Sequence, residues 1–339
     1  TLLLLSVNTA TAKGMGGEEK GGNHVHFCTD TANAQLTACR NEVLDDFNKS
    51  NAICIQVLDK GERTECVNDA KSARNEGNQL CKEQHEARRE LCDAIGDDRY
   101  DPNFDPELFD EDFTNLSNPN PYFPLGITNM WKYAGGDEED TVEVLADTKL
   151  IDGVTCIVVN DLVVNNEDGS REDTNDWYAQ RMDGTVDYCG EETKDFKLFD
   201  GDNPMLPELV SIDGSFKAGR DGDLSGTIFL WTPTVGTTYR QEFSAGNAED
   251  AATVRSVNYG YGSDPELDEF VPQDLAELLC ADGDCVVTLD FTPISPDSFE
   301  RKYYANGIGL FLEVNPSNGH ITQLVDCNFD PRCAFLPTP

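Results

Sequence analysis

The sequence predicts an α+β protein: an N-terminal antiparallel helical hairpin laddered by disulfides, then an antiparallel β-domain built as a curved sheet, a barrel or a sandwich. Three observations carry this. Six cysteines between residues 28 and 92 are spaced 11, 15, 12, 15 and 11 residues apart, a series that reads the same from either end. From Pro121 onward, short apolar runs alternate with Gly, Pro, Asn and Asp turn residues. Between the two lies residues 97–120, an acidic stretch with eight acids, one base and several prolines.

Residues 1–12 read as the end of a signal peptide, because the apolar run Leu2 to Val7 precedes Ala10-Thr11-Ala12, small residues in the pattern of a signal-peptidase site. Residues 13–27 read as a flexible, Gly-rich leader. No later segment approaches the ~18 apolar residues of a membrane span, so the expectation is an exported protein: secreted, periplasmic or at the cell surface. Cysteines in such a compartment read as disulfides.

The hairpin is assigned to residues 28–96. Pairing its cysteines from the outside inward gives Cys28 with Cys92, Cys39 with Cys81 and Cys54 with Cys66, and each pair of numbers sums to 120, placing the fold near Lys60-Gly61. Steps of 11 and 15 residues return to within about 20° and 60° of the starting direction on an α-helix, so each arm carries its cysteines on one face. Both arms lack proline and are rich in helix formers. The rival reading, a metal cluster, calls for C-x₂₋₄-C spacing that the region lacks. Two helices bury little apolar surface, and the cross-links substitute for a core. In the linker, residues 97–120, Phe104, Phe109 and Phe113 are expected to pin the chain onto the neighbouring domain.

The β-domain is assigned to residues 121–335. Its expected strands are Val154–Asn160, Asp176–Gln180, Thr185–Tyr188, Thr227–Trp231, Thr237–Phe243, Ala252–Asn258, Cys285–Phe291, Phe299–Tyr304, Leu310–Val314 and Ile321–Val325, with one helix over Gln273–Leu279. Asp183-Gly184 reads as a two-residue hairpin turn. Cys280 with Cys285 and Cys327 with Cys333 each enclose a short turn-rich loop, which leaves Cys156 to pair with Cys189.

Several segments, among them Asn118 to Leu125, Trp131-Lys132-Tyr133, Asp176 to Gln180, Tyr239 to Phe243, Lys302 to Gly309 and Arg99 to Pro102, resemble those of an uncharacterised family of secreted bacterial proteins. That resemblance implies an exported β-domain behind a cysteine-bearing hairpin and implies no activity. The Tyr303-to-Gly309 stretch also resembles periplasmic domains whose half-barrel sheet shelters an apolar ligand.

The chain of 339 residues has 64 acids against 25 bases, a formal charge of −39, of which −28 falls on residues 121–339. Such a surface repels phosphate backbones, and no nucleic-acid partner is expected. His24, His26, His85 and His320 show no partner spacing for a triad, although His24 and His26 together present a two-imidazole motif for copper or zinc. Asp221, Asp223 and Ser225, with Gly226 as the turning glycine, match the first half of a calcium loop, but Thr232 stands where a bidentate Glu belongs. No cofactor is firmly indicated, and calcium is the leading candidate. A candidate ligand patch groups Trp177, Tyr239, Arg240, Glu242, Glu249, Lys302 and Tyr303, with Arg240 and Glu242 expected on one face of their strand. No catalytic motif is present. The expectation is a non-enzymatic binding or cell-surface assembly protein, self-associating or meeting a surface partner. A carrier with an apolar cavity near Trp177 and Tyr303 is the second reading, and a hydrolase with paired carboxylates the third.

Overall fold

A computed structural model describes residues 25–338. Residues 1–12, most of the leader and His24 lie outside the described residues. Helix α1 (Phe27–Ile55) and helix α2 (Lys60–Ile95) form the hairpin. Half of their buried residues are cysteines, namely Cys28, Cys54, Cys81 and Cys92. The structure joins Cys28 to Cys92, Cys39 to Cys81 and Cys54 to Cys66, with Cα separations of 5.6, 5.8 and 5.6 Å. Gly77 sits mid-helix because a Cβ there would come within 2.9 Å of Val43, so its absence lets the helices approach. The fold point falls slightly earlier than Lys60-Gly61. Asp59 caps α2 by accepting from the amides of Gly61 and Glu62 (2.7 and 3.0 Å), which places Gly61 inside the first helical turn. At the other end, Asp97 reaches across to accept from the Thr29 amide (2.8 Å), satisfying a free donor of α1.

The β-domain is one antiparallel sheet of fifteen strands: β1 (Met130–Gly135), β2 (Glu138–Ile151), β3 (Val154–Asn165), β4 (Arg171–Gln180), β5 (Val186–Glu192), β6 (Asp195–Lys197), β7 (Glu208–Ser211), β8 (Phe216–Lys217), β9 (Gly226–Phe229), β10 (Thr238–Arg240), β11 (Ala251–Tyr259), β12 (Cys285–Phe291), β13 (Phe299–Ala305), β14 (Gly309–Val314) and β15 (Ile321–Cys327). The last strand pairs with the first, so both lie in the middle of the order β10-β11-β12-β13-β14-β15-β1-β2-β3-β4-β5-β8. The sheet curves without closing. Its two ends meet at a single bridge between Leu224 and Phe243, and Gly226 lies so near the backbone of Gln241 that a Cβ would fall 1.9 Å from its carbonyl oxygen.

Five strands lack a clear sequence signal: β1, β2, β6, β7 and β8. The longest of them, β2, opens on Glu138-Glu139-Asp140, residues of low strand propensity that pairing with β1 and β3 holds extended. The turn after β4 also differs from expectation: Gly184 donates to the Arg181 carbonyl (2.9 Å), so Met182-Asp183 are central and Gly184 takes the left-handed position (φ 96°). Strand β10 stops at Arg240 where continuation to Phe243 is expected, because the amides of Gln241 and Glu242 both point at the Asp250 carbonyl (2.7 and 3.2 Å), a bulge pattern.

The outer face of the sheet is covered by the loop after β11 and by helix α3 (Gln273–Leu279), whose Leu275, Ala276 and Leu279 are buried. Tyr303 lies there, edge-on to Tyr259 (5.2 Å) and donating to the Leu267 carbonyl (2.6 Å). Cys156 and Cys189 are joined beside Trp177 in a second apolar cluster that also takes up Phe104 and Phe109 of the linker. Phe113 is buried in the main core, and the remaining disulfides, Cys280 to Cys285 and Cys327 to Cys333, close their short loops.

Candidate functional site

Alternation along the strands gives the sheet an inner face, and that face encloses a cavity of about 440 Å³. Its floor is apolar and aromatic, with Phe123, Leu125, Trp131, Val159, Tyr178 and Leu310 among the lining residues. Its walls are acidic. Asp140, Asp161 and Asp176 come from β2, β3 and β4; Asp290, Glu300 and Glu313 from β12, β13 and β14; Glu242 and Asp250 from the bulge beyond β10 and the approach to β11. Among the described residues, Lys302 is the single basic residue facing these eight acids.

Register explains the clustering on the first wall. Asp140 pairs across from Val163 and Asp161 from Val142, so the two carboxyls are diagonal neighbours on one face; Asp161 and Asp176 repeat the step, since Asp161 faces Thr174 and Asp176 faces Val159. Burial and the neighbouring charge of Asp161 push the Asp140 carboxyl up to about 10, so at neutral pH Asp140 holds a proton that Asp161 accepts. One oxygen of each is buried without a conventional hydrogen-bond partner, as expected when two acceptors share one proton. Asp176 is raised by burial and by Asp161 and Glu191. The Tyr188 hydroxyl lies between Asp176 and Glu191, 3.0 Å from the latter, and burial pushes Glu191 up to about 7. A hydroxyl carries one proton, so one of these carboxyls must be protonated to complete the set.

On the opposite wall Lys302 pairs with Glu313 (3.0 Å). Burial disfavours the charge on Lys302, but Glu313, Asp290 and Glu300 outweigh it and hold the lysine protonated. Asp290 accepts from Gln241 (3.0 Å) and from Thr288, yet burial still raises it. The carboxyls encircle the cavity rather than converge on one point. Among the described residues, no group of three or more acidic, histidine or cysteine side chains is arranged to hold a metal ion.

Of the expected ligand patch, only Glu242 and Lys302 face this cavity. Trp177 and Tyr303 are one residue out of phase with the cavity-lining Tyr178 and Tyr304, so they fall on the outer face and do not line the cavity. Arg240 and Glu242 do not share a face, because the bulge intervenes. Tyr239, Arg240 and Glu249 instead sit where the hairpin meets the sheet. Arg88 of α2 donates to Glu249 (2.6 Å) with both side chains buried, and Gln84 donates to the Ile294 carbonyl (2.8 Å) in the loop before β13. The Asp221 to Ser225 segment is a tight turn: Asp221 is exposed beside Arg220, and Ser225 is buried with no partner for its hydroxyl. His26 lies against Asp97, and His85 against Asn33 (3.0 Å).

Asp140, Asp161, Asp176, Asp290 and Glu313 escape sequence reasoning because each looks like surface charge. For Asp161, Asp290 and Glu313 the signal is a lone acid inside an apolar strand, as in Val158-Val159-Asn160-Asp161-Leu162-Val163 and Val286-Val287-Thr288-Leu289-Asp290-Phe291, whereas Asp140 and Asp176 sit in polar runs that carry no such signal. Compared with known protein families, curated proteins and solved structures, the chain matches none.

Proposed function

We propose that this is an exported, non-catalytic binding protein that takes a small organic cation into the inner cavity of its curved sheet. The observation carrying this reading is the set of eight carboxyls facing one lysine across an aromatic floor. Buried carboxyls near one another must either stay protonated or meet a positive ligand, and aromatic faces attract the same ligand. Six disulfides support the exported setting, and among the described residues no helix is long and apolar enough to cross a membrane. A ligand that is purely apolar fits less well, because it would bury the acids without partners.

The test is calorimetric titration of the oxidised full-length chain with phenethylamine, phenethyl alcohol and phenylacetate. The amine is expected to bind at least tenfold more tightly than the alcohol, with no binding of the carboxylate. Because Asp140 holds a proton in the empty cavity, amine binding should release protons, and the measured heat should change with the ionisation enthalpy of the buffer. Equal affinity for amine and alcohol, or an amine affinity untouched by Asp161→Asn, would overturn the reading.

A further inference from the structure

The molecule holds a second cavity whose lining inverts the charge of the first. It measures about 660 Å³ and lies where the base of the hairpin meets the sheet, between Phe27 and Ile95 on the helices, Tyr100 and Pro102 on the linker, and Leu224 and Phe243 on the sheet side. Three arginines line it against one acid, Asp98, which is exposed to water. In a chain with 64 acids and 25 bases that balance is unusual for any recess.

Two of the arginines are occupied. Arg181 binds Asp187 and donates to the Asn103 carbonyl (3.0 Å), and Arg99 pairs with Asp101 in solvent (3.1 Å). Arg240 is different. Among the described residues, no carboxylate lies within ion-pair distance of it; its Nε is buried without a hydrogen-bond partner, and its one polar contact is a 3.7 Å approach of Nη2 to the disulfide sulfur of Cys28. The nearby Glu249 is already engaged by Arg88 and by the Gly246 amide (both 2.6 Å), so one carboxylate faces two guanidinium groups. The rings of Phe243 and Tyr100 flank Arg240 with centroids 5.0 and 5.7 Å from its central carbon, holding the group in place. Leaving a guanidinium donor unpaired at a buried site is costly, and the cost is relieved by an anion.

We infer that this pocket binds an apolar carboxylic acid, its carboxylate on the Arg240 guanidinium and its chain along Phe27, Ile95, Leu224 and Phe243. The site is independent of the inner cavity, which selects the opposite charge.

The probe is decanoate, titrated into the oxidised full-length chain alongside decanol and decylammonium. Decanoate is expected to bind with at least tenfold preference over decanol. Arg240→Gln should abolish that preference while Lys302→Met, in the inner cavity, leaves decanoate affinity unchanged. If Arg240→Gln does not fold, Arg240→Lys and Leu224→Trp serve: the first keeps charge but loses the planar fork, the second fills the chain's path, and each should weaken decanoate at least tenfold. Failure of decanoate to bind, equal binding of decanol, or loss of decanoate binding in Lys302→Met rather than in the Arg240 and Leu224 variants overturns the inference.

Discussion

Replacing Asp140 by Asn should make the empty protein more stable at neutral pH. The carboxyl of Asp140 is raised from an ordinary 3.8 to about 10 by burial and by Asp161. Between those two values the folded chain holds a proton that the unfolded chain has lost. The contribution of this group is therefore complete below pH 4 and is lost progressively as pH rises toward 10, at about 1.4 kcal/mol per pH unit for one proton. Across pH 4 to 7 the loss is of the order of 4 kcal/mol. Asparagine cannot ionise, keeps nearly the same volume and offers its amide to Asp161. Urea unfolding of both proteins at pH 5, 7 and 8.5 should show curves that diverge with rising pH, the variant ahead by about 2 kcal/mol or more at pH 7. The same variant should bind phenethylamine more weakly, since one carboxylate is gone. Parallel stability curves, or a variant less stable at pH 8.5 than at pH 5 by the same amount as the parent, would refute the account of the paired carboxyls.

Other outcomes follow from packing. Arg88→Met alone strands the buried Glu249 and should cost about 3–5 kcal/mol, whereas Arg88→Met with Glu249→Leu should recover most of it; a double-mutant cycle read by thermal unfolding checks this. Gly226→Ala puts a Cβ 1.9 Å from the Gln241 carbonyl oxygen and should cost about 3 kcal/mol or more by forcing the two ends of the sheet apart, seen as faster amide exchange at Leu224 and Phe243. Removing Cys39 and Cys81 together frees a loop of 42 residues already shortened by the inner link of 12, and chain entropy sets the loss at about 3–4 kcal/mol, measured by helix circular dichroism on heating.

The hairpin is legible because cysteine spacing is a discrete signal: six positions with equal sums allow one nested ladder, and helical periodicity agrees with it. Helix α3 and strand β12 are equally plain, since their apolar runs end at strong punctuation. Strand β2 is hidden because its first turn of acids has no local reason to be extended; its neighbours β1 and β3 supply one. The site suffers from a parity problem. Trp177 and Tyr178, or Tyr303 and Tyr304, are equally attractive in one dimension, and only the direction of curvature says which member of each pair faces the cavity. The bulge at Gln241 and Glu242 adds a second shift that spacing does not announce.

The laddered hairpin changes what a cut in the chain would do. Its base is held at the sheet by Gln84 and Arg88, and from there to Lys60 the arm extends about 36 Å, ending in Ile53, Ile55 and Leu58, all exposed. The connection at residues 56–59 is the natural place for a protease to act. A nick there would release nothing. Cys54 and Cys66 flank it, two further links stand behind them, and the severed arms would stay side by side until a reductant arrived. Continuity of the backbone at the far end is thus dispensable for the arm's shape, and an electrophoretic shift seen only after reduction would be the mark of such a nick.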